Sequence, residues 1–107
     1  MLILPIKKKW FDMILSGEKK EEYREIKPYY RSRFNNLFCM APYSGLPYGH
    51  DIVKIMFRNG YSTNSPSFIA ECTLDIKTGR TEWGAEAGKE YYVLKIKEIL
   101  KEDKING

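Results

Sequence analysis

The run SFIAECTLDIK at residues 67–77 alternates without a break, Phe68, Ala70, Cys72, Leu74 and Ile76 against Ile69, Glu71, Thr73, Asp75 and Lys77. A period of two with one apolar and one wetted face is the pattern of a strand whose sheet is covered on one side. Upstream, residues 51–58 repeat it: Val53, Ile55 and Phe57 alternate with Ile52, Lys54, Met56 and Arg58, and Asn59-Gly60 supplies a turn. Downstream, residues 91–100 give a last strand with Tyr92, Leu94 and Ile96 facing inward. Between the two lies a loop holding Gly79, Trp83, Gly84, Ala85 and Gly88, and beyond Leu100 the segment 101–107 reads as a charged, frayed tail.

The first third changes period. Leu2, Ile3, Leu4 and Ile6 form a short apolar strand with Pro5 at its end or on an edge. Trp10, Phe11, Ile14 and Leu15 then make the apolar stripe of a helix of about ten residues, which Gly17 stops. Three lysines, Lys7 to Lys9, head that helix against its dipole. Residues 18–26 read as a polar strand, with continuation of the helix as the alternative, and residues 29–38 as a short basic and aromatic helix or turn after Pro28. A loop at Ala41–Asp51, rich in Pro and Gly and carrying Tyr43, Tyr48 and His50, is expected to be mobile; whether it covers a cleft is open. About five strands with one or two helices near the start predict an α+β domain built on a small, mostly antiparallel β-barrel, one domain over residues 1–100.

Composition narrows the function classes. The chain has 107 residues, 43% of them apolar, enough to bury a core without disulfide or metal staples. Cys39 and Cys72 have no CxxC spacing, and a single histidine, His50, cannot build a His-rich site, so neither a metal nor a cofactor is expected. GxGxxG, GxxxxGK[ST] and GxSxG are all absent, which leaves dinucleotide, P-loop and serine-hydrolase chemistry without support. No apolar run reaches the roughly 18 residues of a membrane span, and no signal-peptide core precedes Lys7; a cytoplasmic protein without membrane contact is expected.

Eighteen Lys and Arg against fourteen Asp and Glu leave a net +4, and many of the cations fall in the first third among Trp10, Tyr23, Tyr29, Tyr30 and Phe34. Cations for phosphates and rings for bases are what single-stranded nucleic acid requires. The densest constellation is GEKKEEYR, residues 17–24. On a strand, Glu22 and Arg24 share a face while Lys19 stands at its mouth, so an amine, a carboxylate and a guanidinium converge on one cleft. Such a group suits proton transfer between Lys19 and Glu22, or an Arg24 fork on a phosphate or base edge; a solvated ladder of ion pairs is the competing reading. Arg58 and Tyr61, which flank the Asn59-Gly60 turn, Arg33 and a base-stacking Trp83 complete the candidate binding set, with Trp83 as a plug of the barrel end as the alternative.

The spacing Gly17, Lys19, Glu22, Arg24 directly after an amphipathic helix resembles the GxKxxExR signature of the ASCH family, within the PUA-like superfamily. The likeness extends to LILPIKKKWFDMILSG, FRNGYS and YYVLKIKEIL. It implies a PUA-like β-barrel whose basic cleft, lined by the signature residues, binds RNA or a nucleotide-like ligand. Some members are hydrolases, of amidohydrolase or ribonuclease type, acting on a modified nucleoside or RNA. In the acetylcytidine amidohydrolase branch a lysine at the place of Lys19 works with a threonine and a glutamate. Here Glu22 stands where that threonine would be, and the segment between Gly79 and Gly88 is short. An enzyme would therefore use Lys19 as nucleophile or base and Glu22 as proton carrier. Glu22 itself opposes this by stabilising the Lys19 ammonium.

Overall fold

A computed structural model describes residues 1–38 and 51–103. The loop expected at Ala41–Asp51, with Tyr43, Tyr48 and His50, lies almost wholly outside the described residues, as does Cys39. Strand β1 (Leu2–Pro5) leads into helix α1 (Lys8–Leu15), strand β2 (Glu21–Arg24) and helix α2 (Pro28–Leu37); β3 (Val53–Arg58), β4 (Ser67–Thr78) and β5 (Glu90–Asp103) follow, with a 3-10 turn at Thr81–Trp83. The strands form one mixed sheet in the order β1-β3-β4-β5-β2, curled into half a barrel. Three ladders are antiparallel, and β1 runs parallel to β3, Leu4 beside Phe57 and Pro5 beside Arg58. The α+β reading with two early helices therefore holds.

The alternation in β4 meets its purpose. Phe68, Ala70, Cys72 and Leu74 are almost wholly buried together with Ile55, Phe57, Tyr92, Leu94 and Leu4. Phe11 and Ile14 of α1 and Phe34 of α2 close that face. The Cys72 thiol, free and without solvent contact, is pushed up to about 12 by burial. A smaller cluster of Tyr91, Val93 and Ala85, with Tyr23 against it, occupies the opposite side of the sheet.

Two boundaries differ from expectation for local reasons. The strand predicted for residues 18–26 is regular only over Glu21–Arg24, because residues 18 and 19 are tied to the end of α1: Gly17 reverses the chain at φ +84°, and the Lys19 N–H donates to Met13 O at 2.9 Å, whereas Lys20 O already accepts from the Ile96 N–H of β5 at 2.9 Å. The last strand extends to Asp103, three residues into the expected tail, because the beginning of β4 supplies partners, Ser67 beside Asp103 and Ile69 beside Lys101. In order, β1 and β2 are the two edges of the sheet. The seam between them carries the candidate site.

Candidate functional site

Lys19 owes its position to the glycine turn. Once its N–H caps α1, its side chain is carried inward and is 1% exposed. The ammonium donates to Trp83 O at 2.6 Å and lies 3.2 Å from Glu22 Oε1. The rings of Trp10 and Tyr23 stand 4.9 and 4.8 Å from it, close enough for cation–π attraction. Burial pulls the Lys19 pKa below its ordinary 10.5, while the Glu22 carboxylate pulls the other way.

Glu22 is 6% exposed and uses both oxygens, Oε1 toward Lys19 and Oε2 accepting from Arg24 Nη2 at 2.8 Å. Arg24 also donates to Pro5 O at 2.9 Å and to the Tyr30 hydroxyl at 3.2 Å. Burial works against the Arg24 charge, but the Glu22 carboxylate and the Tyr30 hydroxyl outweigh it and raise its pKa. The predicted convergence of amine, carboxylate and guanidinium is thus present, as a buried chain in which two cations share one carboxylate. A solvated ladder of ion pairs does not describe it.

The chain borders a cavity of about 710 Å³ at the seam. Pro5, Ile6, Lys7 and Trp10 form one wall, Glu22 to Glu25 with Lys27 and Tyr30 another, and Asn59, Gly60 and Tyr61 a rim; Gly84, Glu86 and Tyr91 complete the lining. At Gly84, φ is +102° and an added Cβ would stand 3.0 Å from the Trp10 ring, so a bare backbone is required there. Its loop is docked by Tyr23, whose hydroxyl accepts from the Arg80 N–H at 2.9 Å and donates to Glu21 Oε1 at 2.8 Å.

The expected site residues divide. Glu22, Arg24 and Tyr61 line the cavity, Tyr61 being 89% exposed. Lys19 lies against Trp10 and Tyr23 and is not among the lining residues. Trp83 contributes its backbone carbonyl to Lys19; its ring is 8% exposed, sits 4.7 Å from the Arg80 guanidinium and does not line the cavity, which fits the plug rather than the stacking platform. Arg33 is spent on its own helix, 3.4 Å from the Tyr29 ring and bonded to Tyr29 O at 3.0 Å, away from the lining. Arg58 does not line it either. Its Nε is buried and, among the described residues, has no hydrogen-bond partner.

Lys7, Lys27, Trp10 and Tyr30 belong to the basic and aromatic first third that the sequence offers for phosphates and bases, without being singled out there as site residues; in the sequence Tyr91 reads only as part of the last strand. The lysines carried a signal: both stand at the N-cap of a helix, a position that favours Ser, Thr, Asp or Asn, and neither makes a side-chain cap. Among the described residues no group of three or more His, Cys, Asp or Glu is placed to hold a metal ion, and no helix is long and apolar enough to cross a membrane. Comparison of the chain with family models, with curated proteins and with solved structures finds no match in any of the three.

Proposed function

We propose that the seam cavity binds RNA or a nucleotide-like ligand, and that the chain is a cytoplasmic, PUA-like domain of the ASCH type. The observation that carries the reading is the make-up of the lining, in which the rings of Trp10, Tyr30, Tyr61 and Tyr91 are interleaved with Arg24, Lys7 and Lys27, beside the acids Glu22, Glu25 and Glu86. A volume of about 710 Å³ is in the range of small-molecule sites, and rings with cations suit bases with phosphates. The buried Lys19–Glu22–Arg24 chain bears one more positive than negative charge when Lys19 is protonated, which favours an anion at its open end.

Uridine 5′-monophosphate and a short oligouridylate, titrated at several salt concentrations, test this. Binding should weaken steeply as salt rises, because phosphate contacts release counterions. Tyr61→Ala should weaken it by about tenfold, the loss of one stacking ring. It should leave the melting temperature in place, since Tyr61 is 89% exposed and has little packing to lose. Affinity that ignores salt, or an unaltered affinity in the Tyr61 variant, overturns the reading.

A hydrolase is the second reading, favoured by the one observation that burial lowers the Lys19 pKa beside Glu22. An amine nucleophile must be unprotonated and must reach its substrate. Here the amine is caged between Trp83 O, Glu22 and two rings, so the binding reading ranks first. Turnover of N4-acetylcytidine to cytidine and acetate, lost in Lys19→Ala, would reverse that order.

A further inference from the structure

The first half of β5 also borders a second concavity. It is about 390 Å³ and is lined by Ile52, Thr73, Asp75, Lys77, Lys95 and Lys97 above a floor of Leu74 and Val93. Its charges are not equivalent. Lys77 is held by Glu21 at 3.1 Å, and Asp75 Oδ1 accepts from the Ile76 N–H at 2.8 Å. Lys95 and Lys97 are exposed and have no acidic partner among the described residues.

The two concavities share a strand face. Along β5, Tyr91 lines the seam cavity, while Val93, Lys95 and Lys97 line the groove, alternate residues that emerge on one side of the sheet. At the last of these the register shifts: Cys72 pairs with Ile96 and Glu71 with Glu98, so Lys97 is the extra residue of a bulge and Glu98, beside Glu71, follows it on the same side. At about 3.3 Å per residue, Lys95 and Lys97 lie roughly 13 and 20 Å from Tyr91. That is beyond one nucleotide seated in the cavity and within reach of the next few of a strand.

Resting on the binding reading above, we infer that the ligand is a single-stranded polynucleotide rather than a free nucleotide: one base enters the seam cavity, and the phosphates that follow pass outside the packed cluster of Tyr23, Ala85, Tyr91 and Val93 to reach the exposed Lys95 and Lys97. The groove supplies charge without rings, and so holds backbone and reads no base.

Uridine 5′-monophosphate and an oligouridylate of about six nucleotides are titrated against the wild type, Lys95→Gln/Lys97→Gln, Lys95→Arg/Lys97→Arg, and Lys97→Gln beside Lys54→Gln, an exposed lysine of β3 outside the groove. The double Gln variant should lose about tenfold in oligonucleotide affinity, and its salt slope should fall by about 1.4, two phosphate contacts on a single strand. Mononucleotide affinity should not move, and the double Arg variant should bind as the wild type does. Oligonucleotide affinity unchanged in the double Gln variant, or a Lys54→Gln loss equal to that of Lys97→Gln, overturns the track and leaves the cavity reading standing. A wild type that binds neither probe overturns both.

Discussion

Glu22 is the residue on which the site turns, because one carboxylate answers two cations in a place where none of the three reaches much water. Breaking a buried ion network by removing one partner costs far more than replacing the whole network with apolar groups of like size. Glu22→Ala should therefore lower the unfolding free energy by about 3–5 kcal/mol, since it leaves both Lys19 and Arg24 without an acid. Lys19→Met should cost less, about 2 kcal/mol, because Glu22 keeps Arg24 and methionine follows the same path between Trp10 and Tyr23, while Trp83 O loses its donor. Urea midpoints of the two variants give the order; equal losses would mean that the carboxylate is not the hub.

Lys19 also predicts a pH dependence. Its pKa is lower in the folded protein than its ordinary 10.5, so between the two values the unfolded chain binds a proton that the folded one has released. Stability must then rise with pH through that window, at up to about 1.4 kcal/mol per pH unit. Tyr23 works the other way, but only above its ordinary 10.0, because burial raises its pKa. Urea midpoints followed up to pH 10.5 should show the wild type gaining on Lys19→Met, Tyr23 being common to both, and curves that stay parallel throughout would mean that the Lys19 pKa is not lowered.

Among elements, the two helices start in the same way and at the same place. Lys7 and Lys27 occupy N-caps with extended backbone and no cap bond, neither helix has an acid in its first turn, and both lysines line the cavity. For stability these are poor choices. Lys7→Ser and Lys27→Ser should each stabilise the domain by about 1 kcal/mol, through a cap bond and relief at the positive end of the dipole. In melting temperature that is roughly 4–8 °C for a domain near this size. Each should weaken oligouridylate binding and flatten its salt slope by about 0.7. Gains in melting temperature without any loss of binding would show that these lysines only solvate the entry turns.

At the scale of the whole molecule, the sheet is open between β1 and β2, and side chains close what backbone ladders do not. Arg24 crosses the seam to Pro5 O, reaches α2 through Tyr30 and holds Glu22. As a pure ligand contact it would leave stability untouched when removed. Its three bonds argue otherwise: Arg24→Ala should cost about 3 kcal/mol or more and lower the melting temperature by 10 °C or more, about 4–8 °C for each kcal/mol. Binding should be lost as well. Differential scanning calorimetry beside the titration separates this from a contact residue, for which only binding would fall.

Strand periodicity in residues 51–58 and 67–77, the helix stripe ending at Gly17 and the turn at Asn59-Gly60 were legible in the residues themselves. Each depends on near neighbours in the chain, through side-chain alternation, helical spacing and glycine's freedom at positive φ. The grouping of Lys19, Glu22 and Arg24 was legible for the same reason, since all three fall within six residues. Other features depend on pairs far apart, such as Lys19 with Trp83, Arg24 with Pro5 and Lys27 with Lys7 across the cavity. Local spacing carries no information about them. The fate of Trp83 as the carbonyl acceptor in the cage, the turn of Arg33 onto its own helix and the run of β5 from cavity to groove were decided when the sheet curled and brought its two edge strands to the seam. By itself the sequence determined the elements and the cluster of charge; only the tertiary structure decided which of those charges face a ligand, because burial and long-range hydrogen bonds exist only once the chain has closed.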